Sequence, residues 1–116
     1  MRGLSLVCLS LVFAACGGNN TATNDFSSPI TACRSLATSA CTREDQCNPG
    51  TVDVSSCAQL LAASENCNEA GCPPGTTYTA TNAQQCSTDY LNQTCSDSNS
   101  GVVPPSCQTT SICVTP

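Results

Sequence analysis

The sequence predicts a small, mainly α, disulfide-rich fold, with about three helices stapled by up to five disulfides and an irregular C-terminal tail. Ten of its twelve cysteines lie between Cys33 and Cys113. The chain from Pro29 onward has no Trp, His or Lys and few large apolar side chains, chiefly Ile30, Leu36, Leu60, Leu61, Leu91, Ile112 and some valines. A core that poor buries too little surface to hold a domain of this size, and covalent staples are the usual remedy. Cysteines and small apolar residues also recur at steps of three and four, the period of a helix face.

The chain divides into three parts. Residues 1–15 read as a lipoprotein signal peptide: Arg2 is followed by the apolar run Leu4 to Ala15, shorter than the roughly 20 residues that span a bilayer. The run ends Phe13, Ala14, Ala15, Cys16, Gly17, which resembles the lipobox of bacterial lipoproteins, with Phe13 where that family usually has Leu. The resemblance implies that Cys16 becomes the acylated N-terminus and anchors the protein in the membrane. It also implies an outer-membrane destination, since Gly17 is not the aspartate associated with inner-membrane retention. Ordinary cleavage after Gly17 is the alternative and would give a secreted or periplasmic protein. Either route removes Cys8 and Cys16 as free thiols and leaves an even set of ten. Residues 16–29 form the lipid-anchor cysteine and a flexible tether, because GGNNTATNDFSS has too little apolar surface to offset ordering. Residues 30–116 form the disulfide-rich helical domain.

The first helix starts with Ser28 as N-cap and Pro29 in the first turn, and it ends at Asn48, Pro49, Gly50. Ile30, Cys33, Leu36, Ala37, Ala40, Cys41, Glu44 and Cys47 follow at steps of three and four, and Cys33, Leu36, Ala40, Cys41 and Cys47 are expected to face inward. A second helix begins after Asp53 and carries Val54, Cys57, Leu60, Leu61 and Ser64 on one side. Cys67 to Gly75 is a loop with two prolines and two glycines. Thr81 with Gln84 reads as the capping box of a third helix that buries Ala83, Cys86, Tyr90 and Thr94. After Cys95 the run of Ser, Gly and Pro reads as irregular.

Cys33, Cys41, Cys47, Cys57, Cys67, Cys72, Cys86, Cys95, Cys107 and Cys113 are expected to be disulfide-bonded. No CxxC pair occurs and histidine is absent, so the knuckles of a zinc site are missing. Export also delivers the chain to an oxidising compartment. A short connection makes the first two helices antiparallel. Folding about Gly50 then pairs Cys47 with Cys57 and Cys33 with Cys67, and proximity pairs Cys95 with Cys107. Cys41 with Cys86 and Cys72 with Cys113 remain.

The order Cys33, seven residues, Cys41, five residues, Cys47, then Cys57 opening a Leu-rich helix, a Pro and Gly loop, Cys86 and Cys95, and Cys107 after a Pro-rich stretch resembles the cysteine-rich lipoproteins of unknown function common in myxobacteria and related groups. The resemblance covers about two-thirds of the chain. It implies export and a helical disulfide scaffold and adds no activity. Cys72 and Cys113 form an extra pair on that pattern.

The same residues narrow the chemistry. Histidine, the commonest general base, is absent, no lysine can form a Schiff base, and bridged cysteines are not nucleophiles. Glu44 with Asp45, and Glu65 with Glu69, are the only close carboxylate pairs and read as solvated surface acids. Asp97 to Gly101 resembles the start of a calcium loop, but its glycine comes one position early and Gln108 stands where the closing glutamate belongs. No catalytic residue, cofactor or metal is therefore expected. After signal removal Arg34 and Arg43 face eight acids, which argues against nucleic-acid binding. The expectation is a non-enzymatic, membrane-anchored structural or binding module with an unidentified protein partner. The alternative is an inhibitor or antagonist of a secreted enzyme, acting through locked loops such as Cys67 to Cys72 or Ser96 to Ser106.

Overall fold

The structure is a computed structural model and describes residues 25–116; the signal peptide and Cys16 lie outside the described residues. Three longer helices, α1 (Pro29–Cys47), α2 (Val54–Ser64) and α3 (Ala80–Leu91), make the body. The tail, read as irregular, is built of short pieces: α4 (Cys95–Asn99), a 3-10 turn (Pro105–Cys107), α5 (Thr109–Ile112) and the strand β2 (Cys113–Val114). That strand pairs antiparallel with β1 (Thr77–Tyr78), Thr77 opposite Val114 and Tyr78 opposite Cys113. Thr79 fastens the same junction, its N–H and its hydroxyl donating to the Ile112 carbonyl at 3.0 and 2.7 Å.

α1 is the central helix and packs against α2, α3 and α4. It starts where the sequence places it, with the Ser28 hydroxyl accepting the Thr31 N–H at 3.2 Å. It stops at Asn48, after which Gly50 takes a φ of 82°, a conformation costly for a side chain with a Cβ. Its buried positions are small: Ala32, Ser35, Ala37, Ser39 and Cys41, whereas Leu36 and Ala40 are half-buried. Small side chains let neighbouring backbones approach closely. At the contact with α3 the hydroxyls of Ser39 and Ser87 lie 2.6 Å apart, and Ser39 also donates to the Ser35 carbonyl at 3.1 Å. Ser39 has one proton, so Ser87 donates to Ser39.

Residues 25–29, assigned to the tether from the sequence, are held against the body. Asp25 exchanges two hydrogen bonds with the Ser35 hydroxyl, at 3.1 and 3.0 Å, and the Tyr78 hydroxyl donates to the Phe26 carbonyl at 2.7 Å.

All ten domain cysteines are paired. The pairs are Cys33 with Cys67, Cys41 with Cys57, Cys47 with Cys95, Cys72 with Cys113 and Cys86 with Cys107, with Cα separations of 5.4, 5.9, 5.4, 5.5 and 4.7 Å. Two expected pairs occur, Cys33 with Cys67 and Cys72 with Cys113. The pairings of Cys47 with Cys57, Cys95 with Cys107 and Cys41 with Cys86 are corrected, and helix geometry gives the reason. At 3.6 residues per turn, Cys47 lies about 120° round α1 from Cys41. Cys41 therefore faces α2 and Cys57, while Cys47 faces α4 and Cys95. Beside that last bridge the Asn48 amide donates to the Asn99 side chain at 2.8 Å. Further along, α2 ends at Ser64 and Asn66 takes a left-handed φ of 54°, which turns Cys67 back to Cys33.

Three further expectations are corrected. Leu60 points outward and is 73% exposed. Thr81 lies inside α3, whose N-cap is Thr79 with no side-chain capping bond. The buried residues of α3 are Ala83, Cys86 and Ser87; Tyr90 is half-buried, and Thr94 is exposed because it caps α4 instead, accepting the Asp97 N–H at 3.1 Å.

Candidate functional site: an apolar cleft

No large apolar side chain is fully buried among the described residues; the largest that are fully enclosed are Cys41, Cys67, Cys86 and Ser35. The bulkier residues instead share a cleft of about 310 Å³ between α1, the end of α2, α3 and the C-terminal segment. Leu36 enters from α1, Leu61 from α2, Tyr90 from α3, Tyr78 from β1 and Ile112 from α5. All five are half-buried because each has one side on the void. Sulfur forms part of the walls: Cys33, Cys86, Cys107 and Cys113 line the cleft, so three of the five bridges run beside it.

Glu65 is the one charged residue in the lining. It follows α2 as its C-cap and is exposed, which puts its carboxylate at the rim. Burial pushes the Tyr90 phenol above its ordinary value of 10.0, and the Glu65 charge adds to the shift. Burial likewise raises Tyr78, with Asp25 contributing. The two phenols differ in partnership. Tyr78 is tied to the Phe26 carbonyl, whereas no hydrogen bond to the Tyr90 hydroxyl occurs among the described residues.

Both domain cations are engaged elsewhere. Arg34 donates to the Asn68 side chain, and Arg43 donates to the Gln93 carbonyl at 2.7 Å and to Gln46 at 3.0 Å. The carboxylates singled out from the sequence do not converge with any nucleophile. Glu44, Glu65 and Glu69 are exposed and Asp45 is half-buried. Asp97 to Gly101, compared above with a calcium loop, is α4 and its exit: Ser100 is the C-cap and Gly101 has a φ of 73°. Among the described residues no three His, Cys, Asp or Glu side chains are arranged to hold a metal ion. No described helix is long and apolar enough to cross a membrane.

The sequence reading missed the cleft because it turned Leu36 and Tyr90 toward the body separately and gave Tyr78 and Ile112 no partners. The available signal was volume: Ala, Ser and Cys at the helix contacts leave the few Leu, Ile and Tyr with no opposing side chain to pack against. Compared with known proteins, the chain matches no family model, no curated protein and no solved structure.

Proposed function

We propose that the protein is an exported module, held at the bacterial envelope by a lipid on Cys16, that acts by binding through its cleft and not by turnover. The observation that carries the reading is the cleft itself, a preformed apolar site walled by disulfides. Rigid walls favour binding because little ordering entropy is lost when a ligand enters. Five disulfides in one small domain fit an oxidising compartment outside the cytoplasm. Turnover needs groups that move protons, attack or stabilise developing charge, and the cleft offers two phenols, the Thr109 hydroxyl and one rim carboxylate, with no base to activate them. The anchor is tested by metabolic lipid labelling and fractionation. Wild-type protein should carry the label and sediment with outer membrane, and Cys16→Ser should lose both; an unlabelled wild-type N-terminus beyond Cys16 refutes the anchor.

The second reading, an inhibitor of a secreted enzyme, is favoured by one feature. Val102 and Val103 are 44% and 51% exposed on a loop held between Cys95 and Cys107, both of them bridged. An exposed apolar loop with fixed ends has the form of a protein-contact element. Inhibition of a secreted hydrolase that is lost in Val102→Asp would establish it.

A further inference from the structure

We propose that the cleft takes the alkyl chain of a single-chain amphiphile whose head is uncharged or cationic, with the head at Glu65 and Tyr90. The inference rests on the binding-module reading and names its ligand class.

Size comes first. A dry engineered cavity of about 150 Å³ holds benzene. At the same carbon density about 310 Å³ holds an alkyl chain of about twelve carbons. The figure lies at the small end of the roughly 300–1,000 Å³ range of ligand sites, too small for a two-chain lipid. Leu36, Leu61 and Ile112 supply the apolar contact, with bridged cysteines between them.

Charge selects the head. Glu65 is the one charged residue in the lining, and neither arginine lines the cleft. A carboxylate or phosphate head would meet a negative rim with no cation to pair with, in a domain where eight acids face two arginines. An ammonium or a hydroxyl-bearing head meets the Glu65 carboxylate as acceptor and the Tyr90 hydroxyl as donor or acceptor. The approach to the cleft is also fixed. Pro29 lines it, and Phe26 is bonded to the lining residue Tyr78, so the chain leaves toward Cys16 from beside the cleft.

The test is isothermal titration calorimetry on the oxidised chain from residue 16 onward bearing Cys16→Ser, without the apolar leader, which would itself bind amphiphiles. Three homologous series are titrated below their micellar concentrations: alkyltrimethylammonium, alkyl maltoside and alkyl carboxylate. Affinity for the first two should rise about fourfold per methylene and level off near twelve carbons. The carboxylate of equal length should bind at least about tenfold more weakly, the gap a single unfavourable charge contact makes in a partly desolvated site. Glu65→Gln should narrow that gap from both sides. Leu61→Trp should take up part of the cleft, weaken binding of the longest chains and move the plateau to shorter ones; if it fails to keep five disulfides, Leu36→Phe replaces it, with a smaller shift in the same direction. One-to-one binding with the plateau and the charge preference supports the proposal. Affinity that climbs without a plateau, equal binding of carboxylates, a gap unmoved by Glu65→Gln, or no binding in any series overturns it. None of those results touches the lipid-labelling test, so the ligand and the anchor fail separately.

Discussion

The bridge between Cys47 and Cys95 offers the sharpest check on the architecture, because it joins α1 to α4 and replaces the pairing that a simple helical hairpin would impose. Removing both partners with Cys47→Ala and Cys95→Ala opens a loop of 48 residues. The chain-entropy relation assigns such a loop about 4 kcal/mol at 25 °C, against about 3 kcal/mol for the 16-residue loop closed by Cys41 and Cys57. Both values are ceilings, since the other four bridges already restrain the denatured chain. Cys47 is half-buried and Cys95 exposed, so truncation leaves no sealed void and the loss reports mainly on the loop. The assay is guanidinium chloride unfolding followed by circular dichroism without reductant, paired with thiol titration in denaturant. The double variant should unfold at lower denaturant and show no free thiol. The mixed variant Cys47→Ala with Cys57→Ala should show two, because it orphans Cys95 and Cys41. Two thiols in the first variant, or none in the mixed one, would refute the connectivity and the register derived from it.

Ser39→Ala should cost about 2 kcal/mol, because it strands the buried Ser87 hydroxyl, and Ser87→Ala about 1 kcal/mol. The double variant should cost no more than Ser39→Ala alone, as a thermodynamic cycle from urea unfolding would show. Stability should be flat from about pH 5 to 9 and fall on both sides. Hydrogen bonds from Ser106 and then Gln85 hold the Asp89 carboxyl below 3.8, and Ser56 does the same for Asp53. Their contribution is complete above that ordinary value and is lost as pH falls through the depressed folded values. The raised phenols act in the opposite sense: their contribution is complete below 10.0 and is lost as pH rises through the folded values. Thermal unfolding across pH, with tyrosinate absorbance at the alkaline end, checks both arms. Replacing Glu44, Asp45 and Glu69 together by their amides should leave amphiphile binding unchanged, since none of the three lines the cleft.

Helix ends were legible because they depend on neighbours in sequence. Ser28 with Pro29, Asp53, and Asn48 to Gly50 cap and stop helices through bonds made within four residues, and each does so in the structure. Pairing was legible only where chain direction sufficed, as for Cys33 with Cys67, where α2 runs back along α1 and Asn66 turns the chain. Cys47 and Cys57 are close in sequence, yet their partners are set by rotation about α1, which the number of intervening residues does not reveal until α4 is placed. Thr79 displaced Thr81 as the start of α3 because the β1 and β2 clip fixes the entry of that helix from outside. The cleft was illegible for a related reason: Leu36, Leu61 and Tyr90 have the pattern of core residues, and only the placement of the bridges shows that they stop short of one another.

The same feature that makes the domain depend on disulfides keeps the cleft open. Ala32, Ser35, Ala37 and Ser39 let α1 lie close to its neighbours, but they bury little apolar area, so contact alone would hold the helices weakly. In an ordinary core the surrounding side chains would relax into a void of this size, since empty volume costs contact energy. Here the positions of α1, α3 and the tail are fixed by Cys33 with Cys67, Cys86 with Cys107 and Cys72 with Cys113, three bridges that each contribute at least one cysteine to the lining. Collapse would require those covalent links to stretch or the helices to leave their caps. Stability and binding capacity therefore share one source. A variant lacking Cys86 and Cys107 should lose amphiphile affinity by more than its loss of folded fraction explains, because α3 and the tail are then free to close on Leu36 and Ile112. Calorimetry on that variant, at a temperature where circular dichroism shows it fully folded, separates the two effects. Unchanged affinity there would mean that packing, and not the bridges, shapes the cleft.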